Sequence, residues 1–188
     1  MRQSLLDEST PIFSCECDEP NGVVTRSVYP MALTPSNLKK FWELTSQFKV
    51  LFDAEVGGDF QKFCELFMSR DGDNLYAHGL FWKMDDMVGV FYLTHILSND
   101  AQIHYSFFDR RHKGRQHLTR MMIQHVFSKY GFRRLSAEIP YFAKGTFEFI
   151  EQLGLKHEGR KRKSVLFDGE WFDTKLYGVL MEEAASWQ

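Results

Sequence analysis

Six consecutive residues, Arg110-Arg111-His112-Lys113-Gly114-Arg115, place four positive charges and a glycine directly ahead of an amphipathic stretch. The first turn of a helix carries unpaired backbone N–H groups and the positive end of the helix dipole, where phosphate oxygens dock. Arg110, Arg111, Lys113 and Arg115 strengthen that pull. The chemistry this turn suits is capture of an anion, a phosphate or pyrophosphate above all. Taken alone, the same run also reads as a solvated basic loop before a core helix.

The elements around the turn are those that would position it. Upstream, residues 102–108 read as a strand; downstream, Leu118, Met121, Met122, Val126 and Tyr130 fall on one helical face, with Gln124, Ser128 and Lys129 opposite and Gly131 as the stop. Leu135-Ser136-Ala137-Glu138-Ile139 alternates as a strand does. A helix over 143–153 follows, with Phe147, Ile150 and Leu153 at helical spacing and Gly154 closing it. Asp168-Gly169 is a tight-turn pair between runs 164–167 and 171–180, so the C-terminal third reads as a long β-hairpin.

In the first half, residues 1–21 are mixed and turn-rich and read as an extension, with a single domain over 22–188. Val23 to Tyr29 alternates; Thr34 and Pro35 form a helix start as N-cap and first helical residue. Leu38, Phe41 and Trp42 share the face of that helix, and Phe60, Phe63, Cys64 and Phe67 form a second apolar stripe. Runs 80–84 and 88–96, joined by Asp85-Asp86-Met87, read as a hairpin. The expected class is α/β (α+β): a mixed, twisted sheet of about six or seven strands with about four helices.

Composition narrows the function. With 188 residues and a net charge of -2, the chain is long enough for one well-buried domain and carries no general basicity for nucleic acid. The clusters at 110–115 and 156–163 are its only positive patches of note. No long apolar stretch reads as a membrane span or leader, so the expectation is a soluble, cytoplasmic protein without a membrane partner. Cys15, Cys17 and Cys64 form no disulfide framework and the seven histidines show no His-x-x-x-His pair. Thiols, and no metal, are expected.

The segment Arg111-His112-Lys113-Gly114-Arg115-Gln116 resembles the pyrophosphate loop of the GNAT superfamily of acyl-CoA N-acyltransferases, Arg/Gln-x-x-Gly-x-Gly/Ala, with Gln116 where the family has a small residue. Further on, residues 149–159 resemble the "lEklGFkxEG" segment of ribosomal-protein-type and related N-terminal acetyltransferases. Residues 167–173 resemble their "dGxwxD" hairpin, and 176–182 their closing strand.

The resemblance implies a GNAT-like fold and transfer of an acetyl group from acetyl-CoA to a primary amine of a small molecule or protein, in a ternary complex. It implies coenzyme contacts at Phe107, Phe108, Arg111, His112, Lys113, Gly114, Arg115, Gln116 and Thr146. Glu138 occupies the strand position where similar enzymes carry a glutamate, which makes it the candidate base. The position of their tyrosine acid is Ile150 here, and Ala143 stands where they carry an asparagine. Tyr141 from the strand end, or His104 or Tyr105 from the strand before the basic turn, would then protonate the leaving thiolate. A non-catalytic GNAT-like interaction protein and a nucleic-acid-binding module are the other readings, and the acceptor and a homodimer are left open.

Overall fold

The computed structural model describes residues 7–19, 21–48, 56, 58–71, 74–109 and 114–187. Arg110, Arg111, His112 and Lys113 of the basic turn lie outside them. The chain divides into two compact units, residues 1–94 with 105–113, and residues 95–104 with 114–188.

The first unit contains strands β1 (Phe13–Glu19) and β2 (Gly22–Pro30), helices α1 (Pro35–Thr45) and α2 (Phe60–Phe67), and strands β3 (Met68–Asp71), β4 (Asn74–Ala77), β5 (Leu80–Met84) and β6 (Gly89–Thr94). Strands β1, β2, β5 and β6 neighbour one another in that order and pair antiparallel, while β3 and β4 form a separate ribbon. Residues before 22, read from the sequence as an extension, thus contribute strand β1.

Local signals start both helices. The Thr34 hydroxyl accepts from the Asn37 N–H at 3.2 Å with Pro35 in the first turn, and the Asp59 carboxylate accepts from Gln61 and Lys62 at the start of α2. The helices bury Leu38, Phe41, Phe63 and Phe67 with Phe81 and Tyr92. Phe41 stands among the rings, with centroids of Phe63, Phe67 and Tyr92 at 5.4, 5.7 and 6.0 Å. These aromatics are core.

Strand β7 (Asp100–Phe107) contributes residues 105–107 to the first unit and 100–104 to the second. The second unit adds α3 (Arg115–Tyr130), β8 (Arg134–Pro140), α4 (Lys144–Leu153), β9 (Lys156–Phe167), β10 (Glu170–Leu180) and α5 (Met181–Ala185). Its strand order is β7-β8-β10-β9, with β7 and β8 parallel and the other pairs antiparallel. Together the units hold eight strands in this mixed, mostly antiparallel arrangement and five helices among the described residues, slightly more strands than the pattern predicts.

Three details differ from the sequence reading. The buried stripe of α3 is Leu118, Thr119, Met122, Ile123, Val126 and Phe127, whereas Tyr130 is 38% exposed. Strand β9 begins at Lys156 rather than near Ser164, because backbone pairing to β10 carries a run whose side chains are nearly all exposed. The closing strand stops at Leu180, and Met181 and Glu182 belong to α5. The hairpin turn forms at Asp168 and Gly169, with φ of 52° and 80°, the left-handed pair that matches strand twist. No helix among the described residues is long and apolar enough to cross a membrane.

Candidate active site

Gly114 stands at the N-cap of the 16-residue helix α3 and, having no side chain, caps none of its first-turn N–H groups. A helix start without a side-chain cap keeps its amides and dipole available to an anion. The polar side chain of Gln116 is turned elsewhere: its Nε2 donates to the Gln152 carbonyl at 2.8 Å. Arg120 donates to the same carbonyl at 2.7 Å and to Leu153 at 3.3 Å, so two α3 side chains tie down the last carbonyls of α4. The Arg115 guanidinium lies 5.7 Å from the Phe149 ring centroid. Helix α4 also starts without a side-chain cap, at Ala143, and Thr146 sits in its first turn. Phe107 and Phe108 belong to the first unit, where Phe108 packs on Phe41 and Phe48 at 6.3 and 6.2 Å.

The second unit also holds an open cleft of about 310 Å³ lined by His95, Asp100, Gln102, Ser136, Glu138 and Lys161, among others. Its floor follows from register. The parallel ladder runs from Asp100↔Arg134 to Gln102↔Ser136, whereas β7 continues to Phe107 and β8 to Pro140. Alternation then puts Gln102 with Ser136 and Glu138 on one face. One Glu138 carboxylate oxygen accepts from the Lys161 ammonium. The side chains are 33% and 50% exposed, so the pair is reachable from solvent and weak by itself. Lys161 engages one oxygen only, and a carboxylate has a second on which to take a proton.

His104 lies on β7 in the same unit. Burial pushes its pKa down to about 4, with the nearby charge of His95 as the lesser cause, so the imidazole is neutral at neutral pH. His95 lines the cleft with its backbone in the left-handed region, at φ 48°.

Tyr141 is on the other side of the strand. Its ring meets Phe147 at 5.8 Å, with the Arg160 guanidinium 5.3 Å and the Lys175 ammonium 6.0 Å from its centroid. Lys175 is the register partner of Ile139, the residue whose side chain alternates away from Glu138. Glu138, Lys161 and His95 therefore share one cleft, and Tyr141 belongs to a separate cluster of rings and cations. Ile150 is fully buried in the core.

Tyr177, fully buried in that second cluster, donates its hydroxyl to Glu151 at 2.9 Å. Burial and this hydrogen bond push its pKa up to about 12, so it stays a neutral donor. Removing the hydroxyl in Tyr177→Phe should cost about 1–2 kcal/mol, read as a lower denaturant midpoint at unchanged m-value.

Sequence reasoning named Glu138 but missed Lys161, His95, Gln102 and Ser136. The one signal available was alternation, which groups Ser136 with Glu138 and Gln102 with His104; nothing in the order of residues joins Lys161 to Glu138 across 23 positions.

Comparison with known proteins comes out on the same side. A family model described as acetyltransferase (GNAT) domain matches residues 39–176. Among solved structures, a chimera of the spermidine N-acetyltransferase SpeG of Vibrio cholerae with hSSAT is 14% identical, with a TM-score of 0.70, and the alignment covers 85% of this chain and 99% of that one. A second such chimera is 15% identical with a TM-score of 0.67 over the same shares. The dodecameric structure of the Vibrio cholerae enzyme in an intermediate state is 15% identical, with a TM-score of 0.64 over 85% of this chain and 96% of that one. At these identities the likeness is one of fold. No curated protein matches the chain. With the family model spanning well over half its length, this chain belongs to the GNAT acetyltransferases.

Proposed function

We propose that the chain transfers an acetyl group from acetyl-CoA to a primary amine. The observation that carries this reading is the start of α3 at Gly114, a helix N-terminus with no side-chain cap directly behind the basic turn. The amides of Gly114, Arg115 and Gln116 would donate to the oxygens of the coenzyme's pyrophosphate, Arg111, His112 and Lys113, adjacent in sequence, would add polar and positive partners, and Thr146 in the first turn of α4 would meet its arm. Gln116 is compatible with this, because its side chain is already committed to the Gln152 carbonyl.

In the reaction the acceptor ammonium gives a proton to Glu138 and the neutral amine attacks the thioester carbonyl. The carbon–nitrogen bond forms as the carbon–sulfur bond breaks, the attacking nitrogen sheds its second proton as the amide forms, and the coenzyme thiolate takes up one proton by way of Tyr141 or solvent, since the His104 imidazole is held neutral by burial and has no such proton to give. Glu138 and Asp100 are the carboxylates of the cleft, and an arriving ammonium would compete for them with Lys161 and Arg134. For the acceptor, the segments at 149–159 and 167–173 support a protein α-amino group of the kind ribosomal-protein-type enzymes modify. The fold neighbours, spermidine N-acetyltransferases by name, support a small polyamine as the comparison substrate. A second reading, a GNAT fold that no longer catalyses, draws on Ile150, which is buried in the core at the position of the family's acid.

Titration calorimetry with acetyl-CoA tests the proposal, with Gly114→Asp as its probe. Gly114 has φ -74° and ψ -1°, which any L-residue adopts, and a carboxylate at a helix start suits the dipole, so this variant should keep a Tm close to the native value. Its carboxylate would face the pyrophosphate, and acetyl-CoA affinity should fall about 10–100-fold. No binding by the native protein favours the non-catalytic reading, and equal binding by the variant moves the coenzyme away from α3.

A further inference from the structure

Strand β1 carries Cys15 and Cys17, and strand alternation puts both side chains on the same face. Their Sγ atoms are 3.4 Å apart. That separation falls within the roughly 3–3.5 Å at which two reacting atoms are poised to bond. The two thiols are not equivalent: Cys17 is buried at 4% exposure, whereas Cys15 is half-buried and meets solvent. Residues two apart in an extended strand have Cα atoms about 6.6 Å apart, near the upper end of the roughly 4.4–6.8 Å span of disulfides. Bonding therefore asks the strand to contract slightly. Strand β1 stands at the end of the strand order with its ladder to β2, so a contraction around Glu16↔Thr25 strains one ladder and no central strand.

We propose that Cys15 and Cys17 form a reversible dithiol site that small disulfides of the oxidised-glutathione class convert to an intrastrand disulfide. The Cys15 thiolate attacks one sulfur of the small disulfide, forming a mixed disulfide and expelling one thiolate. The Cys17 thiolate then attacks the Cys15 sulfur, forms the internal bond and expels the second thiolate. Two electrons pass to the small disulfide, and the two protons that the cysteines lose are taken up by its expelled thiolates, which become two thiols. Strain in so small a ring makes the product easy to reduce, which gives it the reversibility of a regulatory bond rather than a structural one.

Peptide mapping after exposure of the full-length protein to oxidised glutathione decides the matter. Trypsin releases Gln3–Arg26 with both cysteines, and Cys64 separately in Phe63–Arg70. In the native protein the first peptide should lose the mass of two hydrogens, resist alkylation and carry no glutathione. In Cys17→Ser the same peptide should retain one glutathione on Cys15. A native protein that keeps glutathione on Cys15, links two chains through it, or stays fully alkylatable overturns the proposal, whether or not the variant folds.

Discussion

Glu138→Gln lowers kcat by about 10²–10⁴-fold while leaving acetyl-CoA affinity nearly unchanged, if Glu138 removes the acceptor's proton. The substitution isolates proton transfer. Glutamine keeps the size of the side chain and an oxygen that can accept from Lys161, so the contact of β8 with β9 survives and the fold should not move. What disappears is the ability to hold a proton. The effect should therefore fall on turnover and spare the coenzyme, whose proposed phosphate contacts lie at the start of α3. Raising the pH should rescue part of the loss, because an acceptor amine that is already neutral needs no base. Steady-state kinetics with a peptide α-amine and with spermidine, each at saturating acetyl-CoA, provides the measurement. Unchanged turnover with both would reduce Glu138 to the ion-pair partner of Lys161.

Acid should weaken the native protein over a specific window because of His104. Its pKa in the fold is about 4, against about 6.5 when unfolded. Between these values the unfolded chain binds a proton that the native state refuses, so unfolding is favoured as pH falls. The slope reaches about 1.4 kcal/mol per pH unit and the total is roughly 3 kcal/mol between pH 6.5 and 4, with no contribution above that window. His125, also pushed down by burial, adds in the same direction. Replacing His104 with glutamine removes one of these two terms only. Urea unfolding at several pH values should show the native protein losing about 3 kcal/mol more than the variant across the window. Parallel curves would mean that His104 takes up its proton in the fold without penalty.

Much of this protein is legible in one dimension because its signals are local. Thr34-Pro35 starts α1, Gly131 and Gly154 end α3 and α4, and Asp168-Gly169 turns the last hairpin, each through backbone geometry decided within a few residues. The helix start at Gly114 is local in the same way. Strand β9 was harder to read, since alternation is visible only where one face is buried, and its residues 156–164 are almost all exposed and charged. The stripe of α3 slipped for a related reason. Spacing alone leaves the centre of an apolar face free by a residue, and packing chose Ile123 and Phe127 over Tyr130.

The candidate site divides along the same line. Residue order by itself determined the family, the basic run ahead of α3 and a glutamate on the strand after it, because each is a short run of contiguous residues. Only the tertiary structure decided that Glu138 shares its cleft with Lys161, His95 and Gln102, that Tyr141 faces the opposite cluster, and that Gln116 turns onto Gln152. The packing of α3 against α4 sets the Gln116 contact, while the placing of Glu138, Gln102, Lys161 and Lys175 depends on the register of β7, β8, β10 and β9. Register is set by hydrogen bonds between residues far apart in sequence, and a slip of one residue in any of these strands would send that strand's side chains to the other face.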